Sequence, residues 1–413
     1  MKLNSFDKSK ELFLRATKVI PSGISGNKNP AFAVPGSFPY FAESGEGCRY
    51  KDVDGNEYID YLAGYGPIVL GYNDPVVEAA ADAQRKLGAA FNHPTPRAVE
   101  LAEKLVDLIP AIDWCAFGKN GSDVTAYAIQ TAREHTQRRK ILMAKGAYHG
   151  SQSWCRHGLG GLIESDYEHV LTFTWNDADS VMDLVKKYDG DVAGIIITPY
   201  HHPAFADQEM PAPGFLQTLR KICDDHEIVF ILDDVRAGFR LDMKGSHEYF
   251  GFKPDLTCYC KAMANGYAVS ACCGSQPFKN AASRVFFTGT YYTSAVEQAA
   301  SLACLDELVK SNAIEHMMKM GVMLMDGLKK TAADNGLEVR LTGPPTLPFM
   351  TFASEKNFRR SQLFSGEAAK RGVLLHPHHN WFIMRAHKEA DIQRTLEVAD
   401  ACFAIVSKEF GKD

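Results

Sequence analysis

No apolar run in this 413-residue chain is long enough to span a bilayer, so a membrane-crossing helix is not expected. The opening residues, Met1 to Lys8, are polar and lack the apolar stretch of a secretory signal. A large excess of charge of one sign is missing too. The formal net charge is -5 with 23% charged residues, which points to neither nucleic acid nor an anionic membrane as partner. The ten cysteines show no repeated C-x-x-C spacing, which argues against structural zinc. Several of them (Cys258, Cys260, Cys272 and Cys273) lie in apolar stretches and read as buried free thiols of a reducing, cytoplasmic setting. No G-x-G-x-x-G joins a strand to a helix, which disfavours a nicotinamide dehydrogenase. Internal repeats and low-complexity linkers are absent.

What is present is an ordinary globular composition, 46% hydrophobic, with ample material for a core. The length suggests two or three domains. Residues 1–70 read as an N-terminal segment belonging to a small lobe. Within it, 7–20 has the pattern of an amphipathic helix and 48–61 that of a hairpin turning at Asp54-Gly55. Residues 71–312 read as a large domain. Helical stretches at 96–108 and 123–136 alternate there with short β-rich runs at 141–144, 170–173, 192–198, 228–233 and 256–260. Such alternation predicts an α/β fold with a mostly parallel sheet flanked by helices, and a ligand beyond the C-terminal strand ends. Residues 313–413 read as a C-terminal small domain, opening and closing on long helices (313–335 and 389–410) with short strands between.

Two strand-end residues hold the most chemistry. Asp233 follows one apolar run and Lys261 another. Pyridoxal phosphate needs a lysine amine for its Schiff base and a carboxylate that keeps its ring nitrogen protonated. By itself the pair better describes a structural aspartate and a surface lysine; the neighbouring motifs reverse that reading. The stretch from Gly118 through Gly121, Ser122 and Asp123 precedes a helix. Free backbone N–H groups and a hydroxyl there suit a phosphate, or else Ser122 or Asp123 simply caps the helix. Tyr148-His149-Gly150 follows a strand, and its tyrosine ring suits stacking on a flat heteroaromatic. Val235, two residues beyond Asp233, faces the same side and suits packing on that ring. Gly289-Thr290 precedes another helix and offers a second phosphate hydroxyl, or a cap.

In this order and spacing the motifs resemble the class III pyridoxal-phosphate aminotransferases. Within them the chain is most similar to the glutamate-1-semialdehyde aminomutase branch, which the stretches 52–61 and 66–71 also fit. The resemblance covers nearly the whole chain. It implies the fold type I architecture, pyridoxal 5'-phosphate as cofactor, and a homodimer with active sites shared between subunits. By position it implies that Lys261 forms the internal aldimine and shuttles the proton, and that Asp233 binds the ring nitrogen. Val235 and Tyr148 then sandwich the ring. Gly121 and Ser122 hold the phosphate, with Thr290 contributed by the neighbouring subunit.

The chain departs from the branch at several places. Asn29 stands where the aminomutases usually place a carboxylate-binding arginine, with Lys28 as a substitute cation. Thr198-Pro199 replaces Glu-Pro at a strand end. The C-terminal lobe reads His376-Pro-His378-His379-Asn-Trp381, without the usual glutamate. Arg236 takes the place of a glutamine that bonds the cofactor's phenolic oxygen, where a guanidinium would stabilise the phenolate; a salt bridge facing away is the alternative. His202, His379 and Trp381 are candidate substrate contacts, with exposed loop polarity as the bland alternative for the histidines. Clustered histidines also raise zinc, but no motif supports it. The expected activity is therefore aminotransfer between a β-amino or aromatic amino acid, or an amine, and a keto acid. The alternatives are the aminomutase, a racemase on the same scaffold, and a protein that holds the cofactor without catalysis.

Overall fold

The computed structural model describes residues 3–26, 29, 33–34, 37–155, 160–203, 205–353, 355 and 357–413. The chain divides into two compact units, residues 1–74 with 205–207 and 312–413, and residues 75–204 with 208–311.

The first unit opens with the helix Asp7–Ala16. It is shorter than its apolar pattern: the chain leaves the helix ahead of Pro21, whose ring disfavours helical backbone at Ile20. Strands β1 (Ala42–Glu46), β2 (Arg49–Asp52) and β3 (Glu57–Asp60) then form an antiparallel meander. Its turn is fixed by Asp52, whose carboxylate accepts from the Asp54 and Asn56 N–H groups and from the Tyr58 hydroxyl.

The second unit is built on a seven-stranded sheet: β4 (Trp114–Gly118), β5 (Lys140–Ala144), β6 (Val170–Phe173), β7 (Val192–Ile197), β8 (Val229–Asp233), β9 (Leu256–Tyr259) and β10 (Ser270–Gly274). The spatial order is β4-β10-β9-β8-β7-β5-β6. All neighbours from β9 to β6 pair in parallel, and β10 runs antiparallel to both β9 and β4. The central strands are buried on both faces, as their continuous Val, Ile and Leu runs require. Alternate residues feed two cores. Ile141, Met143, Ile196 and Ile231 pack with Val124 and Ala128 of the helix Gly121–Thr136. Leu142, Ile195, Ile197 and Leu232 pack with Val181 and Leu219 of the helices Ala178–Lys187 and Phe215–His226. β4 was not expected from the sequence: Trp-Cys-Ala-Phe-Gly has no β-branched residue, and its pairing with β10 makes it a strand.

The chain then returns to the first unit through the helix Ala313–Asp334, the hairpin β11 (Val339–Thr342) and β12 (Phe349–Phe352), and the helix Arg359–Ala369. Strand β13 (Val373–Leu374) pairs in parallel with β3 and completes the first unit's sheet, before the helix Glu389–Phe410. No helix among the described residues is long and apolar enough to cross a membrane.

Candidate active site

Because β10 is the one reversed strand, β4, β5, β7, β8 and β9 all end at the same edge of the sheet. The motifs separated in sequence meet there: Gly118–Ser122 after β4, Tyr148–Ser151 after β5, Thr198–His202 after β7, Asp233 closing β8 and Lys261 just past β9. Ligands of open α/β sheets sit beyond this edge.

Asp233 is 5% exposed and held from two sides. The Val235 N–H donates to its Oδ1 at 3.2 Å, and His149 Nδ1 lies 2.8 Å from Oδ2. An ionised carboxylate only accepts, so the His149 proton sits on Nδ1 and is donated to Asp233. The His149 ring lies parallel to Trp154 and is buried, and its Nε2 has no hydrogen-bond partner among the described residues. Sequence reading passed over His149, although it stands between two residues already singled out. Beside Asp233, the Val235 side chain reaches the cup: a Cβ on Gly121 would lie 2.9 Å from Val235 Cγ1. Tyr148 is exposed, just past the end of β5.

Lys261 follows β9 with a left-handed backbone, φ 41°, which a lysine adopts only where its surroundings impose it. It is half-buried. Burial, aided by the nearby Arg236, lowers its amine from 10.5 to about 7. A lysine in that range is substantially neutral near neutral pH and serves as nucleophile and proton carrier.

The cup is built by capping. Asp123 accepts from the Lys119 and Asn120 N–H groups, folding 118–123 over the start of the helix Gly121–Thr136. Ser122 Oγ accepts from the Ser151 N–H at 3.0 Å. A side chain at Gly150 (φ 120°) would run into Ser122, its Cβ only 2.5 Å from Oγ. Ser151, also passed over in the sequence, therefore brings its own hydroxyl to the cup, 3.4 Å from that of Ser122. Lys119 is committed to Glu297, 3.0 Å away. Thr290 lies in an exposed loop with Phe286 and Tyr291, which are 89% and 64% exposed.

After β7, Tyr200 and His202 are buried, and among the described residues the hydroxyl and both ring nitrogens have no hydrogen-bond partner. Burial, with the charge of Arg236, holds the His202 imidazole well below its usual range, and burial lowers the Arg236 guanidinium as well. The remaining candidates belong to the first unit. Trp381 is fully buried and donates its indole N–H to the His376 carbonyl, so it shapes the 376–381 loop from inside. His379 packs edge-on against Tyr65, their centroids 5.1 Å apart. Asn29 is buried and donates its carboxamide to the Ser22 carbonyl. Lys28 lies outside the described residues.

These residues fit pyridoxal phosphate. The fixed carboxylate of Asp233 suits a pyridinium N–H, and the near-neutral amine of Lys261 suits a carbonyl carbon. The Cβ-free space at Gly121, between Val235 and a helix N-terminus, suits a phosphate-bearing ring. No group of three or more metal-ligating side chains occurs among the described residues.

A family model, Aminotransferase class-III, matches residues 32–397. Aminopentol aminotransferase of Sphingopyxis macrogoltabida is 41% identical over 98% of this chain and 95% of its own length. 3-Aminobutyryl-CoA aminotransferase of Cloacimonas acidaminovorans is 34% identical over 97% and 98%. A glutamate-1-semialdehyde 2,1-aminomutase of Methanococcoides burtonii follows at 32% over 95% and 98%. The solved structure of the pyridoxal-phosphate internal aldimine form of Sphingopyxis sp. MTA144 FumI protein superposes with a TM-score of 0.95 at 40% identity, covering 98% of this chain and 97% of that one. With the strand-end lysine and aspartate on one sheet edge, the chain belongs to the class III aminotransferases and is a pyridoxal-phosphate-dependent enzyme of that family.

Proposed function

We propose that the enzyme takes an amino group from an amine or β-amino compound that has no free α-carboxylate, and passes it to a keto acid. The observation that carries this reading is Asn29. It stands where the aminomutases usually have a carboxylate-binding arginine, and its side chain is turned inward onto Ser22. The names of two relatives support it: one acts on an aminopentol and the other on a 3-aminoacyl thioester.

When bound, pyridoxal phosphate supplies an electron sink for the carbon bearing the amino group. The protein residues do the rest. Asp233, oriented by His149 and the Val235 N–H, presents a fixed negative charge to the ring nitrogen. Val235 and Tyr148 give apolar faces that keep the ring planar and aligned. The hydroxyls of Ser122 and Ser151, with the N–H groups of the helix start, receive the phosphate. Lys261, neutral above about 7, would take a proton from the donor carbon and deliver it to the cofactor carbon on the other side of the amino nitrogen. Arg236 would face the cofactor's phenolic oxygen and stabilise it as the phenolate. We further read the enzyme as a cytoplasmic homodimer in which Thr290 reaches the partner's cup; the exposed Phe286 and Tyr291 beside it suit burial at such an interface.

The test adds donors singly to the pyridoxal-loaded enzyme and follows its visible absorbance and the carbonyl product. Primary amines and β-amino compounds should bleach the band with stoichiometric ketone or aldehyde release. A response confined to α-amino acids would sink the donor class. Turnover of a single semialdehyde with no second substrate would instead establish the aminomutase.

A further inference from the structure

Two cysteines outside the site face each other at the edge of the second unit's sheet. β4 is the edge strand, and its Cys115 is the register partner of Cys273 on β10. Directly opposed residues of an antiparallel pair have Cα atoms about 4.5–5.5 Å apart, inside the roughly 4.4–6.8 Å that a disulfide spans. The two sulfurs are 3.3 Å apart, so a bond of about 2.05 Å needs only small side-chain rotations. The two thiols differ in access: Cys273 is fully buried and Cys115 is partly exposed.

A second opposed pair, Cys258 and Cys272, spans β9 and β10. Cys272 and Cys273 are adjacent along β10 and so point to opposite faces of the sheet. Both members of this second pair are sealed in the core against the helix Gly121–Thr136. One pair is reachable from solvent and the other is not.

We propose that Cys115 and Cys273 are a reversible disulfide site that closes when the enzyme meets hydrogen peroxide. The Cys115 thiolate attacks a peroxide oxygen. The O–O bond breaks, the sulfur becomes a sulfenic acid, and the departing hydroxide takes a proton to leave as water. The Cys273 sulfur then attacks the Cys115 sulfur. The S–O bond breaks, and the hydroxide leaves as a second water with the Cys273 proton. Two thiols are oxidised by two electrons and one peroxide is reduced to two waters; a small dithiol reverses the change. Burial and the adjoining Cys115 raise the Cys273 thiol well above its usual range, so the second step is slow and quickens as pH rises. The bond closes at the root of the phosphate cup, because β4 runs on through Gly118, the register partner of Ser270, into Lys119–Ser122.

The test treats the holoenzyme with hydrogen peroxide, alkylates free thiols under denaturing conditions, and maps the peptides by mass spectrometry. A cross-linked pair carrying residues 115 and 273 is expected. It should form faster at higher pH, vanish with dithiothreitol and be missing from Cys115→Ser, while Cys258 and Cys272 are recovered alkylated. Recovery of Cys115 and Cys273 singly alkylated overturns the proposal. So does oxidation of Cys115 to the sulfinic acid without cross-linking, or a cross-link to another cysteine.

Discussion

At Lys261 the protein withholds solvation from a cation and places Arg236 nearby, and both effects favour the neutral amine. The folded-state value, about 7, lies below the ordinary 10.5. The contribution of this group to apoenzyme stability is therefore complete above about 10.5 and is lost as pH falls through about 7. Denaturant melts of the apoenzyme should show this loss between those limits, and Lys261→Met should flatten it; an unchanged pH profile in the variant would refute the assignment. The rate at which apoenzyme captures pyridoxal phosphate should rise with pH through the same value, as read by the visible band. Asp233 is fixed by the opposite means, donors rather than burial alone. Replacing His149 by Phe removes one of them and should lower kcat about 10- to 100-fold, since losing a partner of a buried polar group costs about 1–3 kcal/mol. Far-ultraviolet dichroism should stay unchanged. Lys261 and Asp233 were legible in the sequence because each ends an apolar run. His149 was not chosen, because its role depends on a side-chain contact 84 positions away in the chain.

Among the elements, the cup depends on a close approach rather than on a charge. Gly121 has no room for a methyl group against Val235. Gly121→Ala should shift the loop between β4 and its helix and weaken cofactor binding about 10-fold, in line with overpacking penalties of about 1–3 kcal/mol. Fluorescence titration of the apoenzyme reads this directly, and unaltered affinity would mean that Val235 yields instead. The sequence pattern located five of the seven strands of this sheet, whose Val and Ile content is plain. It missed β4 and β10, which have no β-branched residue and become strands through pairing with each other and, for β10, with β9. The helix at 7–20 was overextended because periodicity continues past the point where Pro21 ends it.

For the whole molecule, the proposed sharing of Thr290 between subunits is open to a complementation test. Lys261→Ala and Thr290→Val should each be impaired alone. Refolded together, they should form mixed dimers in which one site collects both defects and the other neither, so activity should reappear. No recovery in a mixture that sediments as dimer would refute the sharing. The sequence by itself determined the alternation of strands and helices and the cofactor class, and it singled out Lys261 and Asp233 as the pair proposed to serve that cofactor, because apolar periodicity and motif order are local properties of the chain. Tertiary structure alone decided which strand is reversed, and with it which loop ends share an edge. It also decided that His149 and Ser151 join the site, that Trp381 and Asn29 turn inward, and that Cys115 meets Cys273. Each of these is a contact between residues far apart in sequence, set by register and packing that no local pattern encodes.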